Sequence, residues 1–298
     1  MSRRGWVLFC TMGGIWGLPY LLIRVAVREI PPATLVFART APAALLLLPL
    51  AARRGMLRPV LRRWRWVLTF ALVELAVPWV LLSRAEQHVD SSTAGLLIAA
   101  VPLVAAVLYP LLSPIEWLDR RRLAGLLTGF CGVACVVGIE LRGSDLGAVA
   151  EIAVVTVGYA LGPLIVSRRL PDLPSLGVVS VAMAATALAY LPWAATHRPS
   201  HLSAEVIASV AGLAFICSAL AFVLFFELIA EIGPARSTVI TYVNPAVAVI
   251  LGVTLLGEPL TVGVAIGFPL IVVGSMLATR ASPRPSTTGE PAAGSRDA

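Results

Sequence analysis

Residues 233–274 read GPARSTVITYVNPAVAVILGVTLLGEPLTVGVAIGFPLIVVG, two apolar segments around a short GEP turn. Each segment is close to the roughly 20 residues that a membrane-spanning helix requires. The stretch has a counterpart at residues 90–138. Pro102 and Pro245 stand 143 positions apart, as do Pro31 and Pro174, and Pro49 and Pro192. With one residue of slack after the proline, Glu116 aligns with Glu258, Gly125 with Gly267 and Gly132 with Gly274. Proline removes a backbone donor and glycine permits close approach, so matched spacing of both marks matched kinks and contacts. The chain is read as one unit present twice.

Composition names the solvent. Of the 298 residues 58% are hydrophobic and only 13% charged, more apolar surface than a water-soluble core can hide. The net charge of +7 comes from arginine alone, since the chain contains no lysine. In a membrane protein such an excess sets orientation, so no nucleic-acid partner is expected. The four cysteines, Cys10, Cys131, Cys135 and Cys217, lie inside apolar runs and read as small hydrophobes, with no disulfide or metal role.

Apolar runs cover residues 1–27, 32–52, 66–82, 91–112, 122–139, 147–167, 175–195, 204–230, 234–256 and 260–279. They predict an all-α integral membrane protein of ten transmembrane helices, five per unit, with units at residues 1–139 and 147–279. The first run imitates a signal peptide, but it has a counterpart at 147–167, so it is read as retained. Arginine collects on one side of a ten-span count, at Arg3, Arg4, Arg53, Arg63, Arg120, Arg169 and Arg280 among others. Both termini are therefore expected in the cytoplasm. An odd number of spans per unit makes the second enter from the other side, an inverted repeat. Residues 280–298 are small, polar and proline-rich, and read as a disordered cytoplasmic tail.

Polar groups at the membrane centre are expensive and point to function. Counting inward from the helix ends places Trp16, Glu74, Tyr159, Asn244, Pro102 and Pro245 near mid-depth. Trp16, Tyr20 and Arg24 share one face of the first helix, and Ser237, Thr241 and Asn244 form a polar stripe beside Tyr242 on the ninth. Pro102 and Pro245 break their helices and free the carbonyls of Ile98 and Thr241, which must meet protein or a wet cavity. Together these describe a polar chamber lined by aromatic rings. Each has a structural alternative. Glu74 is either the static partner of Arg39, the one arginine well inside an apolar run, or a group that binds substrate or protons. Arg39 lies seven residues from Pro32, which puts it at a different depth from Glu74. Asn244 and Thr241 either bridge helices or touch ligand, and Trp16, Trp79 and Tyr159 either pack or line the chamber. Glu116 and Glu258 sit in turns where a carboxylate can meet the positive start of the helix that follows. Trp64, Trp66 and Trp117 read as interfacial anchors, and the pairs Gly125/Gly129 and Gly263/Gly267 as close helix packing.

No HExxH, GxSxG or phosphate-binding glycine loop ending in lysine is present, so no enzyme, no cofactor and no ATP-driven pump is expected. A carrier driven by gradients is favoured.

GGIWG at 13–17, RxxPPATLVFAR in its form REIPPATLVFAR at 28–39, and the run IGPARSTVITYVNPAVAVILGVTLLGEPLTVGVAIG at 232–267 closely resemble the EamA-type branch of the drug/metabolite transporter superfamily. The resemblance covers both halves. The first-half copy is degenerate, with Val101 in place of Asn244 and SPIEW in place of LGEP. The resemblance implies a ten-helix inner-membrane carrier, often an exporter of amino acids or other metabolites, with a cavity lined by helices 1, 3, 4, 6, 8 and 9. It implies Trp16, Glu74, Trp79, Tyr159 and Tyr242 as lining positions. The expected function is a secondary transporter exporting a small-molecule substrate by alternating access. Glu74 and Arg39 serve as coupling residues for protons, and a homodimer is left open. The alternative is a membrane sensor or assembly protein on the same fold.

Overall fold

The computed structural model describes residues 2–112, 120–140, 145–233 and 237–279. Glu116, Trp117 and the tail at 280–298 lie outside the described residues. Within them the chain is helical. Nine helices are long and apolar enough to cross a membrane: α1 (Arg3–Ala26), α2 (Pro32–Arg53), α3 (Trp64–Ala85), α4 (Ser91–Tyr109), α5 (Arg120–Gly138), α6 (Leu146–Arg169), α7 (Ser175–Thr196), α8 (Ala204–Ile232) and α10 (Val262–Thr279). Between α8 and α10 runs the shorter apolar segment Ile240–Leu255. Its regular α part is α9 (Asn244–Leu255), preceded by a 3₁₀ turn at Thr238–Tyr242. A 3₁₀ turn rises about 2.0 Å per residue against about 1.5 Å in an α-helix, so it lengthens a segment otherwise short for a hydrocarbon layer of about 30 Å. The third span starts at Trp64 and ends at Ala85, outside the bounds read from the apolar run alone.

Local sequence explains the ends. The Ser2 hydroxyl accepts from Gly5 N at 2.9 Å and the Ser203 hydroxyl from Val206 N at 3.4 Å, capping α1 and α8. Pro31 and Pro32 open α2 where the missing N–H is harmless. Buried hydroxyls turn back onto their own helices. Thr40 donates to the Val36 carbonyl, Ser83 to Trp79, Ser180 to Leu176 and Thr186 to Ala182, which leaves no bare O–H in an apolar medium. Leu45, Leu111, Leu188, Ile250 and Leu255 point outward. Apolar side chains on so much of the outside belong in lipid, and the chain is a multi-pass membrane protein.

Helices pair as α5 with α10, α2 with α7, α3 with α6, and α1 with both α8 and α9. The α5–α10 seam is made of glycine. A Cβ on Gly125 would lie 2.8 Å from the Gly274 carbonyl oxygen, and one on Gly132 would lie 2.9 Å from that of Gly267. Gly129 faces Gly274 backbone to backbone. The partner of the Gly125/Gly129 pair is thus Gly274, one turn and more beyond the pair read from sequence.

Both proline breaks are visible. The fourth span divides into Ser91–Ile98 and Val101–Leu112, with Pro102 second in the lower piece, and Pro245 is likewise second in α9. At the first break the Ser275 hydroxyl of α10 donates to the Ala99 carbonyl at 3.3 Å, so a side chain from another helix meets the backbone there. Two further irregularities lie at Ala71–Ala76 in α3 and Gly212–Leu220 in α8, both π-helical. The 143-residue offset carries 71–76 onto 214–219, inside the second. Among rare π segments this coincidence is a matched feature of the two halves, and such segments favour functional sites.

Arg63 donates to the Arg169 carbonyl and pairs with Asp172 at 3.7 Å; Ser2 meets Glu231 and Arg4 meets Glu227. These contacts bind the arginine-rich end. At the far end Arg84 pairs with Glu151 at 3.0 Å and Arg24 with Asp90 at 3.5 Å. Helix α1 runs from the first end to the second, and α6 from the second to the first.

Candidate functional site

The π segment of α3 and the glycines Gly158 and Gly162 of α6 set the position of Glu74. A Cβ on Gly158 would lie 2.5 Å from the Val73 carbonyl oxygen, and one on Gly162 would overlap Glu74 Oε2 and lie 2.7 Å from its Cδ. The carboxyl group is therefore laid on the bare backbone of α6. Its Oε2 is buried without a hydrogen-bond partner. The Ala76 carbonyl, at the end of the π segment, accepts from the Tyr190 hydroxyl at 2.9 Å, and Tyr109 donates to the Ala160 carbonyl beside the site at 3.1 Å.

Arg39 enters from α2 and is 4% exposed. Its guanidinium carbon stands 3.7 Å from the centre of the Trp79 ring, and its Nη2 donates to the Ser218 hydroxyl of the α8 π segment at 3.4 Å. Its Nε has no hydrogen-bond partner. No ion pair joins Arg39 to Glu74 in this structure, so of the two alternatives for Glu74 it does not show the static pair. Arg39 turns to the Trp79 face, where a cation–π contact holds a buried cation, and Glu74 turns to Gly162. Tyr159 is within electrostatic reach of both and stands beside Trp79. An acid and a base thus flank one phenol without neutralising each other directly.

On the other side, Trp16 of α1 packs on Phe225 and Phe222 of α8, with centroids 4.5 and 6.2 Å apart. The 143-residue offset relates Trp16 to Tyr159 and Trp79 to Phe222, so the aromatic positions that meet between α1 and α8 have aromatic counterparts on α6 and α3. Tyr20 is buried beside Gly95, 3.5 Å from where its Cβ would stand, and senses Tyr159 and Glu86. Asn244 begins α9 with Oδ1 buried and unpartnered, and its carbonyl oxygen would lie 2.9 Å from a Cβ on Gly17. Tyr242 is placed elsewhere, at the arginine-rich end. It meets the Thr279 hydroxyl at 2.9 Å, and Thr279 itself donates to Ser275, which makes Tyr242 the donor. Thr241 has a polar partner in the structure.

The structure gathers Glu74, Trp79, Tyr159 and Arg39 into one cluster and sets Trp16 against an aromatic wall. Sequence reading missed Ser218, Phe222, Phe225 and Glu86. The offset was available to find Phe222, opposite Trp79. Glu258 is also corrected. It does not cap α10, which follows it. Its Oε1 accepts from Ser91 N and Ser91 Oγ, both at 2.8 Å, and its Oε2 from Ser92 N at 2.9 Å, so it caps α4.

The sequence profile of the EamA-like transporter family matches at residues 3–138 and again at 147–280. The chain belongs to that family and is a membrane transporter. It is 31% identical over 273 residues to the Escherichia coli K12 protein named "Uncharacterized inner membrane transporter YedA", covering 89% of this chain and 87% of that one. It is 28% identical to a "Probable terminal-alkyne amino-acid exporter" of Streptantibioticus cattleyicolor over 94% of both chains. It is 22% identical to a "Probable amino-acid metabolite efflux pump" of Salmonella typhimurium over 92% of this chain and 94% of that one. A solved crystal structure at 23% identity shares the fold, with a TM-score of 0.65 over 93% of this chain and 98% of its own.

Proposed function

We propose that the chain exports a small zwitterionic metabolite, an amino acid or a close relative, across the inner membrane. It does so as a secondary transporter working by alternating access. The observation that carries this reading is the cluster around Tyr159. A buried guanidinium and a buried carboxyl flank the same phenol with no bridge between them. An isolated charge in the membrane interior is tolerated where a partner arrives, and a zwitterion brings one of each sign. Arg39 would take the carboxylate and Glu74 the ammonium group, with Trp16, Phe222 and Phe225 as the wall for the side chain. The two relatives named as an amino-acid exporter and an amino-acid metabolite efflux pump favour the same class.

The reading includes two five-helix repeats, residues 1–139 and 147–279, of opposite orientation. Its supports are the doubled family match, the matched π segments, the matched aromatic positions and the opposed courses of α1 and α6. Arginine at one end of the bundle assigns that end, and both termini, to the cytoplasm. The far end is then the outer one. Glu74 carries the coupling proton, since it can share that proton with bulk water only when the chamber opens.

The test is counterflow in proteoliposomes holding the purified protein. Zwitterionic amino acids should exchange, and their amide or decarboxylated analogues should exchange at least about tenfold more slowly, as expected where a buried charge is left unpaired. Exchange indifferent to loss of the carboxylate would overturn the assignment to Arg39.

A further inference from the structure

The far end of the bundle holds a second acid that the Tyr159 cluster does not use. Glu86 closes α3 and is 0% exposed, and neither carboxyl oxygen has a hydrogen-bond partner. Above it lies a clasp between distant parts of the chain. Gly257, at φ +67°, turns the chain back after α9 in a conformation that a side chain would resist. The amide of Glu258 then bonds to the Gly252 carbonyl at 3.1 Å, a closure of the Schellman kind. This delivers the Glu258 carboxylate onto Ser91 and Ser92 at the start of α4. Residues 91–100 are buried throughout, so the first part of α4 is packed beneath the clasp.

We propose that Glu86 is a proton-binding site of the far-end gate: protonated while the Glu258–Ser91/Ser92 clasp is closed, and releasing its proton to outside water when the clasp opens. The proposal rests on the transporter reading only for which side is outside.

The surroundings decide the protonation state. From α1 come Arg24 and Tyr20, from α2 Arg39, from α6 Tyr159, and from the turn Glu258. Arg24 is already engaged, with Nη1 on the Glu86 backbone carbonyl and Nη2 on Asp90. An ionised carboxylate with no hydrogen bond is strongly disfavoured in such a place, and the neutral acid avoids that penalty. Burial pushes the Glu86 carboxyl well above the ordinary carboxylate range, against the pull of Arg24, with a push from Glu258 and a weaker pull from Arg39. Burial pushes Glu258 up as well, but the bonds from Ser92 and Ser91 outweigh it and hold that carboxyl below its ordinary range.

The signs are opposite. Closing raises the proton affinity of Glu86, so closure is favoured below its raised value and lost as pH climbs through it. Closing lowers that of Glu258, so the clasp is kept above the ordinary carboxylate range and lost as pH falls through the depressed value. The gate is most firmly shut between the two.

The test reads the gate without any substrate. In lipid nanodiscs, with Cys10, Cys131, Cys135 and Cys217 replaced, a single cysteine at Ala94→Cys reports access beneath the clasp. A second protein with His88→Cys, exposed at the same end, corrects for thiol ionisation. The ratio of their labelling rates by a membrane-impermeant maleimide should rise with pH, approaching about tenfold per pH unit for one linked proton. In Glu86→Gln it should be low and flat, and in Glu258→Gln high at every pH. An unchanged pH response in Glu86→Gln overturns the proposal. So does a Glu74→Gln protein with no infrared C=O band of a protonated carboxyl at neutral pH, a measurement that leaves Glu86 intact. A gate that titrates in a protein exchanging no amino acid supports this proposal and counts against the transport reading alone.

Discussion

Gly162→Ala tests the placement of Glu74 with a single methyl group. The new Cβ would overlap Glu74 Oε2 and lie 3.1 Å from its Cβ. Parting the helices to admit it would open the close seam one turn away, where a Cβ on Gly158 would lie 2.5 Å from the Val73 carbonyl oxygen. Glu74 must therefore leave its position or α6 must shift, an overpacking cost of about 1–3 kcal/mol. Replacing a helical glycine by alanine returns about 0.8–1.0 kcal/mol in propensity. Gly14→Ala in α1, with no heavy atom within 4 Å of its Cβ, collects that gain without the clash. Thermal unfolding in nanodiscs should then rank Gly14→Ala at or above the parent and Gly162→Ala about 1–3 kcal/mol below Gly14→Ala. Removing the obstacle should remove the penalty, so that in a Glu74→Ala background Gly162→Ala becomes as favourable as Gly14→Ala. The coupling energy of that double-mutant cycle is about 1–3 kcal/mol. Equal stabilities of the two glycine variants, or the same loss with and without Glu74, would show that the carboxyl does not rest on Gly162.

Trp16→Ala and Tyr159→Ala should change substrate range or apparent affinity by about tenfold while the protein remains inserted, as expected where an aromatic wall contributes about 1–2 kcal/mol; loss of insertion in both would return them to packing. Glu74→Gln should slow counterflow of zwitterions by about tenfold, since their ammonium group loses its partner, and abolish its dependence on a pH gradient, read with a pH-sensitive dye in vesicles; unchanged pH dependence would remove Glu74 from coupling. Cysteines at Ser2 and Ser167 should react only from the cytoplasm and one at His88 only from outside, and labelling of all three from one side would break the opposed arrangement of the repeats.

Hydrophobic length made the spans legible from sequence, and the prolines at 102 and 245 marked the interruptions of the fourth and ninth, because both features act along the chain. What acts across it was hidden. Depth could be counted for Arg39 and Glu74, but the direction each side chain takes around its helix could not. A static ion pair between them therefore stayed open as an alternative, although one turns to Trp79 and the other to Gly162. Glu258 stands next to α10 in sequence, and only the reversal at Gly257 carries it to α4. Glu86 sits in AEQHVD, which reads as a solvated turn, and its burial comes from α1 and from the clasp above. The π segments carry no signature in a single sequence. Their agreement with the 143-residue offset emerged only once both had been seen.

The central claim is that a small metabolite leaves the cell through this protein. It is tested most directly by comparing metabolites in the medium of cells that express the chain, cells that lack it, and cells that carry Glu74→Gln. One amino acid or a small group of related zwitterions should accumulate outside the expressing cells and stay inside the other two. Identical media from all three, at matched protein levels in the membrane, would contradict the account.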